Sequence, residues 1–209
     1  MTGDDLAAAI LAGGQSRRMG ENKALLRLDP SGPTVIETVV DTLRAITPNI
    51  VLVGSNLAAY ESLGLPQVPD LVPGIGALGG IHAALASTTA SHLLVVACDL
   101  PFLNVALLHY MATRPRDYDA LVPMLDRPQP LHAIYTHACL PPIEQGINSG
   151  NYRATGWLAG VNVRSIERET MQSHDPELLS CFNMNTPEDV TRAKQRIATM
   201  SHRHHLPRT

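Results

Sequence analysis

Residues 11 to 23 read Leu-Ala-Gly-Gly-Gln-Ser-Arg-Arg-Met-Gly-Glu-Asn-Lys. Gly13, Gly14 and Gly20 free backbone N–H groups for close approach by a ligand. Arg17, Arg18 and Lys23 bring three cations into the same short stretch. Bare N–H groups with clustered cations make a phosphate site, and no second cluster of this kind occurs in the chain. The spacing is not that of a P-loop, because no Gly-Lys-Ser/Thr follows a four-residue gap. The competing reading is a polar surface loop with solvated charges.

A second chemical feature is Asp99, in Cys98-Asp99-Leu100-Pro101, directly after the apolar run His92 to Cys98. A carboxylate at the carboxyl edge of a buried strand faces the ligand crevice of an α/β sheet. It is a hard ligand able to hold Mg²⁺ while phosphates and water fill the other positions. Aspartate is equally a favoured helix N-cap, and Pro101 and a helical pattern follow. A third feature, Gly74-Ile75-Gly76-Ala77-Leu78-Gly79, satisfies the dinucleotide-binding spacing, with Asp99 twenty residues on. The segment before it, Val68 to Pro73, carries two prolines and makes a poor central strand. The bland reading is a loop that opens an Ala-rich helix.

These residues need elements to hold them. The chain has 209 residues, enough for one α/β domain. It is 44% hydrophobic and 17% charged, the balance of a globular chain. Aromatics are only 4%, so the core must be aliphatic, as in buried parallel sheets. A net charge of −3 argues against nucleic acid as a partner. The apolar runs are far too short for a membrane span, and the acidic N-terminus does not read as a signal peptide. Three separated cysteines with no CxxC give neither a disulfide framework nor a zinc site. The expected compartment is the cytoplasm.

Strands are predicted over 6–11, 49–53, 92–98, 119–124 and 131–136, and helices over 35–46, 57–63, 76–87 and 105–113. Thr186-Pro187-Glu188-Asp189 starts a last helix to about Thr199, with a hydroxyl N-cap, Pro at N1 and an acid at N3. The polar tail 201–209 is expected to fray. His202, His204 and His205 lie in it and are not read as a functional metal site. The alternation predicts a single-domain, three-layer α/β/α fold over residues 1–200 with a mostly parallel, Rossmann-like sheet.

The pattern Leu11-Ala12-Gly13-Gly14-x-Ser16-x-Arg18-Met19-Gly20-x-x-Lys23 resembles the signature loop of the molybdenum cofactor guanylyltransferases, members of the wider nucleotidyltransferase family. The Gly13-Gly14 pair, where cytidylyl relatives typically show Ala-Gly, resembles the guanylyl branch. Cys98-Asp99-Leu100-Pro101 matches the family's Cys-Asp-x-Pro, and Asn183-Met184-Asn185-Thr186-Pro187-Glu188-Asp189 its Asn-x-Asn-Thr-Pro-Glu-Glu/Asp segment. The resemblance spans the chain in order. It implies a nucleotide-diphospho-sugar transferase-like fold and GMP transfer from GTP to the terminal phosphate of molybdopterin, or its molybdenum-loaded form, with release of pyrophosphate.

The resemblance implies a nucleotide site of Leu11, Ala12, Gly13, Gly14, Ser16, Arg17, Gly20, Lys23, Gly54, Asp70, Gly79 and Asp99. Lys23 is expected at the α-phosphate, Arg18 and Arg17 at the leaving pyrophosphate, and Asp99 at Mg²⁺, with Mn²⁺ an acceptable substitute. Asp70 meets either the base, where it can accept from N1–H and N2–H₂ of guanine, or the ribose. Acceptor contacts are assigned to His132, Arg153, Asn183 and Asn185. Each has a plainer reading: a structural hydrogen-bonder, a solvated arginine, and turn formation before a capped helix. The family often has Asp where this chain has Asn22. Molybdenum-insertion proteins or target-enzyme chaperones are the protein partners implied. The rivals are a cytidylyltransferase or other nucleotidyltransferase with a different phosphorylated acceptor, a nicotinamide oxidoreductase using Gly74 to Gly79, and a GTP-binding module without catalysis.

Overall fold

Alternation of apolar side chains decides the layering. The computed structural model describes residues 5–13 and 22–204. Strand β1 (Leu6–Leu11) is buried along its whole length. Its even-numbered residues Leu6, Ala8 and Ile10 enter one core and its odd-numbered Ala7, Ala9 and Leu11 enter another on the opposite face. Strand β4 (His92–Ala97) divides in the same way, with Leu94 and Val96 against Leu93 and Val95. A strand apolar on both faces must be covered on both, and the result is three layers.

Among the described residues the sheet has seven strands in the order β3-β2-β1-β4-β6-β5-β7, with β2 at Ile50–Val53, β3 at Gln67–Val68, β5 at Ala120–Pro123, β6 at His132–Tyr135 and β7 at Val163–Ile166. β1 pairs in parallel with β2 and β4, in register Ala8 to Ile50 and Ala8 to Leu94. β6 runs antiparallel to both its neighbours, β4 and β5. The predicted 119–124 and 131–136 strands are joined by a turn closed by a Met124–Pro128 bridge, and so short a connection can only join antiparallel neighbours.

Helix α1 (Val35–Arg44) begins with a reciprocal capping box. Glu37 N–H donates to the Thr34 hydroxyl, and Thr34 N–H donates to the Glu37 carboxylate at 2.7 Å. Its buried Val35, Ile36, Val39, Val40 and Leu43 form one stripe at helical spacing. Helix α2 (Ala77–Ser87) covers the other face and needs its glycines for close packing. A Cβ at Gly80 would stand 3.0 Å from Leu11 Cδ1. Helix α3 (Val105–Ala112) is capped by Asn104, whose side chain accepts from Leu107 N–H at 3.0 Å.

Several expectations change in detail. The segment expected as a helix over 57–63 is a 3-10 helix, Ala58–Leu63, closed by Gly64 in the left-handed region. Helix α4 (Leu140–Asn148) and the half-buried edge strand β7 had no prediction. α5 spans Arg168–His174. The last helix, α6 (Pro187–His204), continues past Thr199 into the segment expected to fray, because no Gly or Pro interrupts it before Pro207. Among the described residues no helix is long and apolar enough to cross a membrane.

Candidate active site

The carboxyl ends of β1, β2 and β4 converge, and the loops leaving them carry the candidate residues. Ala12 N–H donates to Val53 O at 2.8 Å, and Cys98 N–H donates to Leu11 O at 3.2 Å, so these three strand ends are tied together. Beyond them the backbone is pinched. A Cβ on Gly54 would lie 2.6 Å from the Gly13 nitrogen and 2.7 Å from its Cα. Two loops therefore touch through glycine alone. A Cβ on Gly13 would also lie 3.2 Å from Asp70 Oδ2. The Ser55 hydroxyl donates to that same carboxylate oxygen. The structure thus brings together Leu11, Ala12, Gly13, Gly54 and Asp70. It adds Ser55, which sequence reasoning missed although it directly follows Gly54. Gly79 is placed in the first turn of α2, where a Cβ would meet Ile75 Cγ1 at 2.8 Å and Val72 O at 3.1 Å.

The Gly74 to Gly79 stretch leads from the two-residue edge strand β3 into α2. That is the bland reading of the dinucleotide-like spacing, since the fingerprint requires a central strand before its glycines. Gly14, Ser16, Arg17, Arg18 and Gly20 lie outside the described residues.

Lys23 opens a 3-10 turn, Lys23–Leu25, capped by Asn22. Its Nζ donates to the backbone carbonyl of Asn185, far along the chain. The adjoining Met184 N–H donates to Asp99 O at 3.2 Å. One tripeptide, Met184-Asn185-Thr186, therefore links the loop lysine to the strand-end aspartate. It is held firmly. Met184 is fully buried in a small cluster with Val35, Val190 and Ala193. Asn185 N–H and Thr186 N–H both donate to Asp189 Oδ2, at 3.0 and 2.9 Å, and Asp189 N–H returns a bond to the Thr186 hydroxyl at 3.2 Å. The predicted cap of the last helix is also the clamp on this tripeptide.

Asp99 is half-buried, and burial pushes its carboxyl up from the ordinary value of 3.8 while the Lys23 charge pulls it back. The cap role for α3 belongs to Asn104, which leaves Asp99 out of that helix's first turn. Among the described residues no three His, Cys, Asp or Glu side chains gather into a metal cage. A divalent cation at Asp99 would take its carboxylate oxygens, with phosphate oxygens and water among the other donors. That donor set fits a hard, reluctantly dehydrated ion such as Mg²⁺.

The acceptor candidates are less tightly grouped. His132, on β6, is 1% exposed, with Nδ1 3.6 Å from Cys181 Sγ and no hydrogen-bond partner for Nε2. Burial lowers its pKa from 6.5 to about 4, against a weaker upward pull from Asp175. Enclosed in this way, it fits the structural reading and not direct contact with an acceptor. Asn183 Nδ2 donates to Cys181 O at 3.2 Å and so shapes its own turn. Asn185 meets Lys23 through its main-chain carbonyl, a role its side-chain type gave no sign of. Arg153 is exposed in the loop after α4, where its N–H donates to Asn151 Oδ1 at 3.4 Å.

Comparison with known proteins settles the lineage. A family model described as the MobA-like NTP transferase domain matches residues 8–166. The chain belongs to this family. It is 36% identical to a protein of Pelotomaculum thermopropionicum named probable molybdenum cofactor guanylyltransferase, over 88% of this chain and 90% of that one. It is 34% identical to the molybdenum cofactor guanylyltransferase of Desulfosudis oleivorans, over 93% of this chain and 96% of that one. Among solved structures, molybdopterin-guanine dinucleotide biosynthesis protein A from Archaeoglobus fulgidus superposes with a TM-score of 0.80 at 32% identity, covering 93% of this chain and 100% of that one. The chain is thus a nucleotidyltransferase-family enzyme with the mostly parallel α/β fold of that group.

Proposed function

We propose that this chain transfers GMP from GTP to the terminal phosphate of molybdopterin, or of its molybdenum-loaded form. The products are the guanine dinucleotide and pyrophosphate. The observation that carries this reading is the Met184-Asn185 link, which ties the loop lysine to the backbone of the strand-end aspartate, whose carboxyl feels the Lys23 charge. The names of the relatives supply the nucleotide and the acceptor.

The chemistry suits the residues. An acceptor phosphate oxygen attacks the α-phosphorus of GTP, one P–O bond forms, and the bond to pyrophosphate breaks. The nucleophile is already anionic at neutral pH, so no general base is required. What the site must supply is alignment and relief of repulsion between two anions. Lys23 faces the α-phosphate and stabilises the charge that builds on its oxygens. Arg18, with Arg17, neutralises the leaving pyrophosphate. The backbone at Gly13 and Gly54 admits the nucleotide closely, and Asp70, braced by Ser55, accepts from the guanine edge or the ribose. Asp99 would hold Mg²⁺, or Mn²⁺ in its place, and the bound cation spreads phosphate charge. Arg153 and the Asn183 to Asn185 turn border the acceptor. A GTP-consuming step of this kind belongs in the cytoplasm.

The test is titration of the purified chain with GTP, CTP, ATP and NADH in Mg²⁺, then a transfer assay with molybdopterin. The expected result is selective GTP binding and pyrophosphate release that depends on acceptor. Preference for CTP would move the reading to the cytidylyl branch. GTP binding without pyrophosphate under any acceptor would overturn catalysis altogether.

A further inference from the structure

The cleft explains what faces the nucleotide but not what aims Lys23. A lysine side chain has four rotatable bonds, and its hold on the Asn185 carbonyl fixes only the far end. The near end is fixed by the residue before it. Asn22 Oδ1 accepts from Ala24 N–H at 3.2 Å and its main-chain carbonyl accepts from Leu25 N–H at 3.0 Å, so Asn22 sets the start of the 3-10 turn that carries Lys23.

Asn22 is itself gripped from a distant element. The Tyr60 hydroxyl lies 2.9 Å from Asn22 Nδ2, which donates to it, and 3.1 Å from Asn22 Oδ1, to which it donates. Tyr60 is 3% exposed, in the 3-10 helix that follows the Gly54-Ser55 corner, and shares an apolar cluster with Ala24 and Leu57. A phenol this deeply buried needs a polar partner. Asn22 provides both a donor and an acceptor, whereas a carboxylate at this position could only accept. The same hydroxyl lies within electrostatic reach of Cys98, the neighbour of Asp99.

We propose that Tyr60 is a positioning residue for Lys23, acting through Asn22 to fix the direction in which the lysine leaves the backbone. The hydroxyl braces the lysine turn from the β2 side while Asn185 holds its tip from the α6 side. Small displacements of a reacting group carry large rate penalties, so loss of one brace should appear in turnover more than in nucleotide affinity. This inference rests on the role given to Lys23 above.

The experiment is a double-mutant cycle of Tyr60→Phe and Asn22→Ala, with Asn22→Asp and Lys23→Ala alongside, read as kcat and KM for GTP and as amide exchange at Ala24 and Leu25. Tyr60→Phe keeps the ring and removes only the hydroxyl. It should lower kcat by about tenfold, leave KM within about twofold, and speed exchange at Ala24 and Leu25. Asn22→Ala should lose a similar amount and the double variant little more, because both changes cut the same brace. Asn22→Asp should recover most of the Asn22→Ala loss, since the carboxylate still accepts from Ala24 N–H and from the phenol. A folded Tyr60→Phe with wild-type kcat overturns the inference, as do losses that multiply in the double variant. If Tyr60→Phe does not fold, Asn22→Ala and its rescue by Asn22→Asp decide alone. Should Lys23→Ala itself retain turnover, the role of Lys23 fails first. Should Lys23→Ala be inactive while Tyr60→Phe is not, only this inference falls.

Discussion

His132 should make the protein acid-sensitive by an amount that can be worked out. It is 1% exposed on the central side of β6, its Nε2 has no hydrogen-bond partner, and burial takes its pKa from 6.5 to about 4. The unfolded chain therefore binds a proton at His132 that the folded chain refuses between pH 6.5 and 4. Stability from this group is complete above pH 6.5 and is lost as pH falls toward 4. At about 1.4 kcal/mol per pH unit, the full gap is worth on the order of 3 kcal/mol, most of it gone by pH 4.5. The assay is urea unfolding of wild type and His132→Gln at pH 7.5 and pH 4.5. Wild type should lose roughly 2–3 kcal/mol more than the variant between the two conditions. The other titrating groups, including His92, whose pKa burial also lowers, are common to both proteins and cancel. Equal losses would refute the reasoning, because they would mean that His132 takes up its proton without unfolding.

Lys23→Ala should cost on the order of 10²-fold or more in turnover, measured as pyrophosphate release with protein confirmed folded. Asp99→Ala should weaken the Mg²⁺-dependent part of GTP binding, and calorimetry with and without the metal would show no such dependence left. Gly54→Ala forces a methyl to within 2.6 Å of the Gly13 nitrogen; expect about 1–3 kcal/mol lost in thermal or urea unfolding, together with poorer GTP binding. Thr34→Ala, far from the cleft loops in role, removes one half of the α1 capping box and should cost about 1 kcal/mol with turnover retained.

The parts of the molecule that sequence made visible are those where local pattern and tertiary demand agree. β1 is a run of six apolar residues that needs cover on both faces, and it occupies Leu6–Leu11 as expected. α6 announces itself by a cap that forms as Thr186 and Asp189 predict, and α1 by the helical spacing of its apolar residues. α4 had no prediction, and its Pro141 and Pro142 sit in its first turn, where no N–H is owed. β7 was hidden because it is a half-exposed edge strand with an Arg and a Ser in its four residues. The 3-10 helix Ala58–Leu63 carried the composition of an α-helix and ends at Gly64 in the left-handed region. Among the candidate site residues, Gly13, Lys23 and Asp99 could be named from a loop or strand end with a chemical signature, and Asp70 from the family resemblance. Ser55 and Tyr60 could not, for their partners Asp70 and Asn22 lie 15 and 38 residues away and leave no local trace. The main-chain grip of Asn185 on Lys23 spans 162 residues and uses no side-chain chemistry of the asparagine.

That last grip sets an order of events. The sheet is complete once β7 has emerged at Ile166, but the link between Lys23 and Asp99 waits for Met184, Asn185 and the capped start of α6. A chain growing from its N-terminus thus owns a full scaffold before it owns an aligned lysine. A contact of such long sequence separation carries a large loop-closure cost, so the Lys23 side chain is held only once the C-terminal segment has docked.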